Sequence, residues 1–215
     1  MAWMRMPGQT WIGAAASFTG MWAVMMVAMM MPSLVPMLGR YRAAVDWTGG
    51  TRHGWLTVLV GAGYFSIWTA LGLAVFPLGV ALAAVEMEHV TVARAVPLAT
   101  GLVVLMAGAV QFTRWKSRQL ACCQNLPGRG RSLSADAGTA WRHGLRLGLR
   151  CSACCAGPMA VLLTVGVMDL GAMAVVAAVI TGERLAPAGE RVARAVGAVA
   201  IGAGVFLLVR SAGLQ

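Results

Sequence analysis

The chain has 215 residues, 59% of them hydrophobic and 11% charged, with a mean hydropathy of +0.76 and a formal net charge of +10. Soluble domains sit near about 45–50% apolar and 25% charged, so a soluble globule is excluded and lipid must solvate much of the surface. The positive excess shows no aromatic-interleaved basic patch. It reads as basic loops that set membrane orientation and touch anionic headgroups, and no nucleic-acid partner is expected.

These features predict an all-α fold, a polytopic transmembrane bundle of about six helices in a single integral membrane domain, 1–215. The first helix runs from Trp11 to Met31 and ends at Pro32 and Pro36. Its about 21 residues span ~31 Å, matching a hydrocarbon core of about 30 Å. Arg5 is the sole cation ahead of it and the apolar run exceeds a signal h-region, so a retained helix is expected. A basic loop follows with Arg40, Arg42, Arg52 and His53.

The second apolar segment, 55–85, is long for one perpendicular crossing, and Pro77 with several glycines suggests tilt or a kink. A short acidic link (Glu86, Glu88, His89) leads to a third segment, 92–112. The most polar stretch, 114–142, reads as a loop. Its middle, Pro127 to Thr139, is rich in Gly, Ser and Arg and is expected to be mobile. A fourth segment covers 144–167, and Met168 and Asp169 mark a tight turn. A short fifth segment, 168–182, ends at Glu183 and Arg184, which are expected at the membrane interface, and a sixth covers 192–209. All cations except Arg5, Arg94 and Arg210 fall in the first, third and fifth loops or on their helix margins. The positive-inside rule then puts those loops in the cytoplasm and both termini outside. That assignment requires the second and fifth segments to cross fully.

Five cysteines at tight spacings do not fit a secreted disulfide framework and point to thiol chemistry or thiolate ligation. The densest group is Cys151, Cys154 and Cys155, followed by Pro158 and Met159. At about 100° per residue, Cys154 and Cys155 flank Cys151 on a face about 100° wide, with Met159 at its edge. Soft sulfur donors favour Cu(I), Zn(II) or iron–sulfur centres, and Cys-x-x-Cys also supports disulfide exchange. Cys122 and Cys123 are adjacent, so their side chains diverge, and one completes the site only if the polar stretch folds back.

Met21, Met25 and Met29 repeat at helical spacing and form a thioether stripe, fit for packing or for Cu(I). Asp169 is a candidate helix cap or an anionic ligand. His143, two helical turns before Cys151, is the best placed of the histidines. Tyr64 and Trp68 share a face, which reads as aromatic packing. No Walker loop, dinucleotide fingerprint, His-Glu-x-x-His pair or nucleophile elbow is present, so no conventional catalytic machinery is expected.

Four blocks resemble a bacterial family of predicted metal-binding integral membrane proteins, a domain-of-unknown-function type. They are Met21 to Pro32, Gly63 to Trp68, Gln111 through Lys116 to Cys123 and Pro127, and Gly144 through Cys151, Cys154, Cys155, Met159, Gly166-Val167-Met168 and Met173 to Glu183. The family pattern has a cysteine where this chain has Gln119, and usually Asn where it has Asp169. The resemblance implies a multi-pass protein of the bacterial inner membrane that binds metal.

The resulting expectation is a membrane protein that binds or hands on a soft metal, copper foremost and zinc as the alternative. Cys151, Cys154 and Cys155 are the core ligands, with Cys123, Met159 and Asp169 as further donors. Expected partners are the lipid bilayer and a membrane protein complex or a metal chaperone. Two readings stand beside it: a thiol–disulfide or electron-transfer protein, and a structural or assembly subunit of a larger complex.

Overall fold

A computed structural model describes residues 8–45, 50–124, 136–167 and 169–213. Arg5, the side chains of Arg52 and His53, the centre of the polar stretch (125–135) and Met168 lie outside the described residues. The fold is all-helical: α1 (Trp11–Ala44), α2 (Gly50–Glu88), α3 (Val90–Val110), α4 (Arg114–Gln124), α5 (Ala137–Val165), α6 (Leu170–Leu185) and α7 (Gly189–Ala212). Five of these helices, α1, α2, α3, α5 and α7, are long and apolar enough to cross a membrane. With 16 residues, α6 is only about 24 Å long, short of the ~30 Å core.

Two pairings dominate, α3 on α7 and α2 on α5, with α1 laid against α2 and α6, and α4 against α5 and α6. Both main pairings are backbone-close. A Cβ on Gly144 of α5 would run into the Val60 carbonyl of α2. In the other pair, a Cβ on Gly108 of α3 would lie 2.8 Å from the Ile201 nitrogen of α7. Small residues of this kind let membrane helices approach where no aqueous hydrophobic effect drives them together. The buried core lies among α1, α2, α4, α5 and α6 and holds Trp22, Met26, Met30, Tyr64, Trp68, Leu162 and Ile180 with four cysteines. The Trp22 indole donates to the Trp68 carbonyl at 2.8 Å, so its buried N–H is satisfied.

Several expected boundaries are corrected. Helix α1 does not stop at Pro32; it carries Pro32 and Pro36 in its interior and ends at Ala44, with Val45 as its cap. Its buried stripe continues past both prolines through Leu34, Met37 and Tyr41, and that packing outweighs the hydrogen bonds the prolines remove. The stretch 114–142 is not one loop. Arg114–Gln124 forms α4, and α5 begins at Ala137, capped by Asp136, whose carboxylate accepts from the Thr139 N–H at 3.1 Å. In α4, Lys116, Leu120 and Cys123 are buried, a helical repeat that seats the polar segment against the bundle. The α5 helix closes at Gly166, whose φ of 138° suits glycine alone.

Candidate metal centre

The site begins with a break in the α5 hydrogen-bond ladder. Pro158 lies four residues after Cys154 and has no N–H to give the Cys154 carbonyl. That carbonyl instead accepts from the Lys116 ammonium of α4, at 2.7 Å. Lys116 also pairs with Glu183 of α6 at 2.6 Å, and the other Glu183 oxygen accepts from the Gln111 amide at 2.7 Å. Lys116 and Glu183 are each 2% exposed. The expectation that Glu183 and Arg184 sit at the interface is therefore overturned: α6 ends inside the bundle, and both side chains face α4, α5 and α1.

Arg184 extends this polar core on the other side. Its guanidinium donates to Cys151 Sγ at 2.9 Å and to Ser33 Oγ at 3.1 Å, and it lies 2.9 Å from Met37 Sδ. Tyr64 donates its hydroxyl to the same Cys151 sulfur at 3.0 Å. The aromatic-packing reading of Tyr64 is thus incomplete, since its ring packs but its hydroxyl addresses a thiol. The close α2–α5 contact sets this register: Gly148 lies one turn before Cys151, and a Cβ there would stand 2.8 Å from the Tyr64 carbonyl.

The thiols form a string. Cys151 and Cys155, one turn apart on α5, have their sulfurs 3.8 Å apart. Cys154, the residue before Cys155 on α5, and Cys123 of α4 are buried in the same core. The Cys123 thiol also addresses the Arg150 carbonyl at 3.7 Å. Bonding to Cys154 and burial hold the Cys123 thiol well above the ordinary thiol range. All five cysteines are free; Cys122 is half-buried and the other four are buried.

The structure thus brings together Cys151, Cys154, Cys155 and Cys123, with Met159 buried in the same core. It sets Asp169 apart. That carboxylate is exposed, caps α6 by accepting from the Ala172 N–H at 2.7 Å, and follows the far end of α5. From Cys151 to Val165 the helix rises about 21 Å. His143 stacks on Tyr41, ring centroids 5.3 Å apart, and takes no part in the string. In the methionine stripe Met25 and Met29 are buried, while Met21 faces outward.

Sequence reasoning missed Lys116, Glu183, Arg184, Tyr64 and Ser33 as a set. One local signal was available, the proline four residues after Cys154. Among the described residues, no group of three His, Cys, Asp or Glu side chains closes into a metal cage. Two sulfurs at 3.8 Å are nonetheless close enough for both to reach one ion, since two metal–thiolate bonds of about 2.3 Å span up to ~4.6 Å.

Comparisons with known proteins bear on the chemistry. Residues 19–207 match the family model PpoB2, described as copper chaperone. No curated protein and no solved structure matches the chain.

Proposed function

Because the chain belongs to the PpoB2 copper chaperone family, we propose that it takes up Cu(I) between Cys151 and Cys155 and passes it along Cys154 to Cys123. The observation that carries this reading is the pair of sulfurs 3.8 Å apart on α5, with Cys154 and the α4 thiol of Cys123 buried in the same core, next to half-buried Cys122. Thiolates and thioethers are the donors that select Cu(I), and adjacent thiols let such an ion change partners without leaving sulfur. The ion here is cargo, held weakly enough to move, which agrees with a string of sulfurs in place of a closed cage. Tyr64 and Arg184 orient the Cys151 sulfur, and Lys116 fixes the turn that carries Cys154. Thiols that stay reduced suit this role, so the end of the bundle that holds Cys123 faces the cytoplasm.

The test is copper content. Protein purified without oxygen and loaded with Cu(I) is expected to hold about one equivalent, lost in Cys151→Ser/Cys155→Ser. Cys123→Ser should retain the ion but deliver it at least tenfold more slowly to a soluble thiol chelator. Wild-type protein that binds no copper, with a reversible disulfide trapped in its place, would move the assignment to thiol exchange.

A further inference from the structure

The bundle interior around the thiols holds three formal charges, on Lys116, Glu183 and Arg184, with exposures of 2%, 2% and 4%. Lys116 and Glu183 cancel each other at 2.6 Å. Arg184 has no such partner: the described ion pairs are Lys116–Glu183 and Arg194–Glu190, and its guanidinium spends its contacts on Cys151, Ser33 and Met37. Among the described residues its Nε finds no hydrogen-bond partner. An uncompensated charge buried in a low-dielectric interior is strongly unfavourable, so the site is built to hold one negative charge beside Arg184.

Resting on the copper reading, we infer that Arg184 is a specificity-determining residue that sets the charge of the accepted ion, matching a monovalent soft cation on two thiolates. Two thiolates and one monovalent cation carry a net charge of minus one, which Arg184 neutralises. A divalent ion on the same two thiolates is neutral and leaves the arginine uncompensated. It reaches minus one only by recruiting a third thiolate. The described residues offer no three-ligand cage that would hold it so at rest. Arg184 lies against Cys151 itself, where the compensating charge acts at shortest range.

The experiment loads detergent-solubilised protein with Cu(I), with Ag(I) as a redox-inert monovalent probe, and with Zn(II), and compares affinities in wild type, Arg184→Gln and Arg184→Lys. The wild type is expected to prefer Ag(I) to Zn(II). Arg184→Gln should lower that preference at least tenfold, and Arg184→Lys, which keeps the charge, should restore most of it. An equal loss for both ions, or an unchanged ratio, overturns the inference while leaving the copper reading intact. X-ray absorption on the Cu(I)-loaded wild type supplies a second criterion that does not depend on the folding of Arg184→Gln. Two sulfur neighbours are expected, and three overturn the inference. A wild type that takes up neither Cu(I) nor Ag(I) overturns the copper reading and the inference together.

Discussion

Lys116 shows how a single missing hydrogen bond organises a site. A helix carbonyl freed by Pro158 asks for a donor, and the ammonium that answers is itself held by Glu183, 67 positions along the chain. Replacing Lys116 with Met would leave Glu183 buried without its counter-charge, which costs about 3–5 kcal/mol in comparable interiors. Thermal unfolding in detergent should show that loss for Lys116→Met. The double variant Lys116→Met/Glu183→Gln should recover part of it, because the Gln111 amide then meets another amide. If Lys116→Met unfolds like the wild type, the pair is not what holds α4 in place. At this scale the sequence was only partly legible. The clustering of Cys151, Cys154 and Cys155 on one helical face follows from spacing alone. The partners do not: Arg184 lies 33 positions from Cys151 and Tyr64 lies 87 from it, distances over which no local pattern speaks. A charged pair at a helix end reads as interfacial, and only the packing of α6 into the bundle reverses that reading.

Helices meet here through glycine, and the α2–α5 seam carries the consequence. Gly144 is buried with the Val60 carbonyl against its Cα, and the same seam lays Tyr64 over Cys151. Gly144→Ala should push the two helices apart and cost roughly 1–3 kcal/mol, as overpacking typically does. Copper retention should fall with it. Gly20→Ala, where nothing lies within 4 Å, serves as the control and should stay within about 0.5 kcal/mol of wild type. Equal stability of the two variants would argue against the close seam. The apolar segments themselves were legible because a membrane imposes long hydrophobic runs. Helix α4 was not, because its short polar sequence was averaged with the Gly- and Ser-rich residues that follow. The repeat Lys116, Leu120, Cys123 was present, but a lysine on the buried face disguised it.

Seen whole, the molecule has one chemical end. Ser33 of α1, Tyr64 of α2 and Arg184 at the C-terminal end of α6 meet around Cys151 at the middle of α5, with Lys116 of α4 on the Cys154 carbonyl one turn on. Short as it is, α6 therefore runs back antiparallel to α5 and returns the chain to that end. Arg40, Arg42, Arg114, Arg118, Arg142, Arg146, Arg150, Arg191 and Arg194 cluster on the same helix ends and loops. On the positive-inside rule this end is expected in the cytoplasm, and α7, long enough to cross a membrane, is then expected to end on the opposite side. A phosphatase reporter fused after Gln215 should accordingly be active in the periplasm, and a fluorescent reporter fused there should stay dark. The reverse pattern would mean that α6 fails to return the chain and that the orientation is wrong.

The graded burial of the sulfurs also decides the order in which they age. Peroxide arrives from water and attacks accessible thiols first, and only Cys122 is half-exposed while its four companions are buried. The first oxidation therefore falls on the one cysteine with no place in the string. Peptide mass spectrometry after peroxide treatment is accordingly expected to find Cys122 modified before the four buried cysteines.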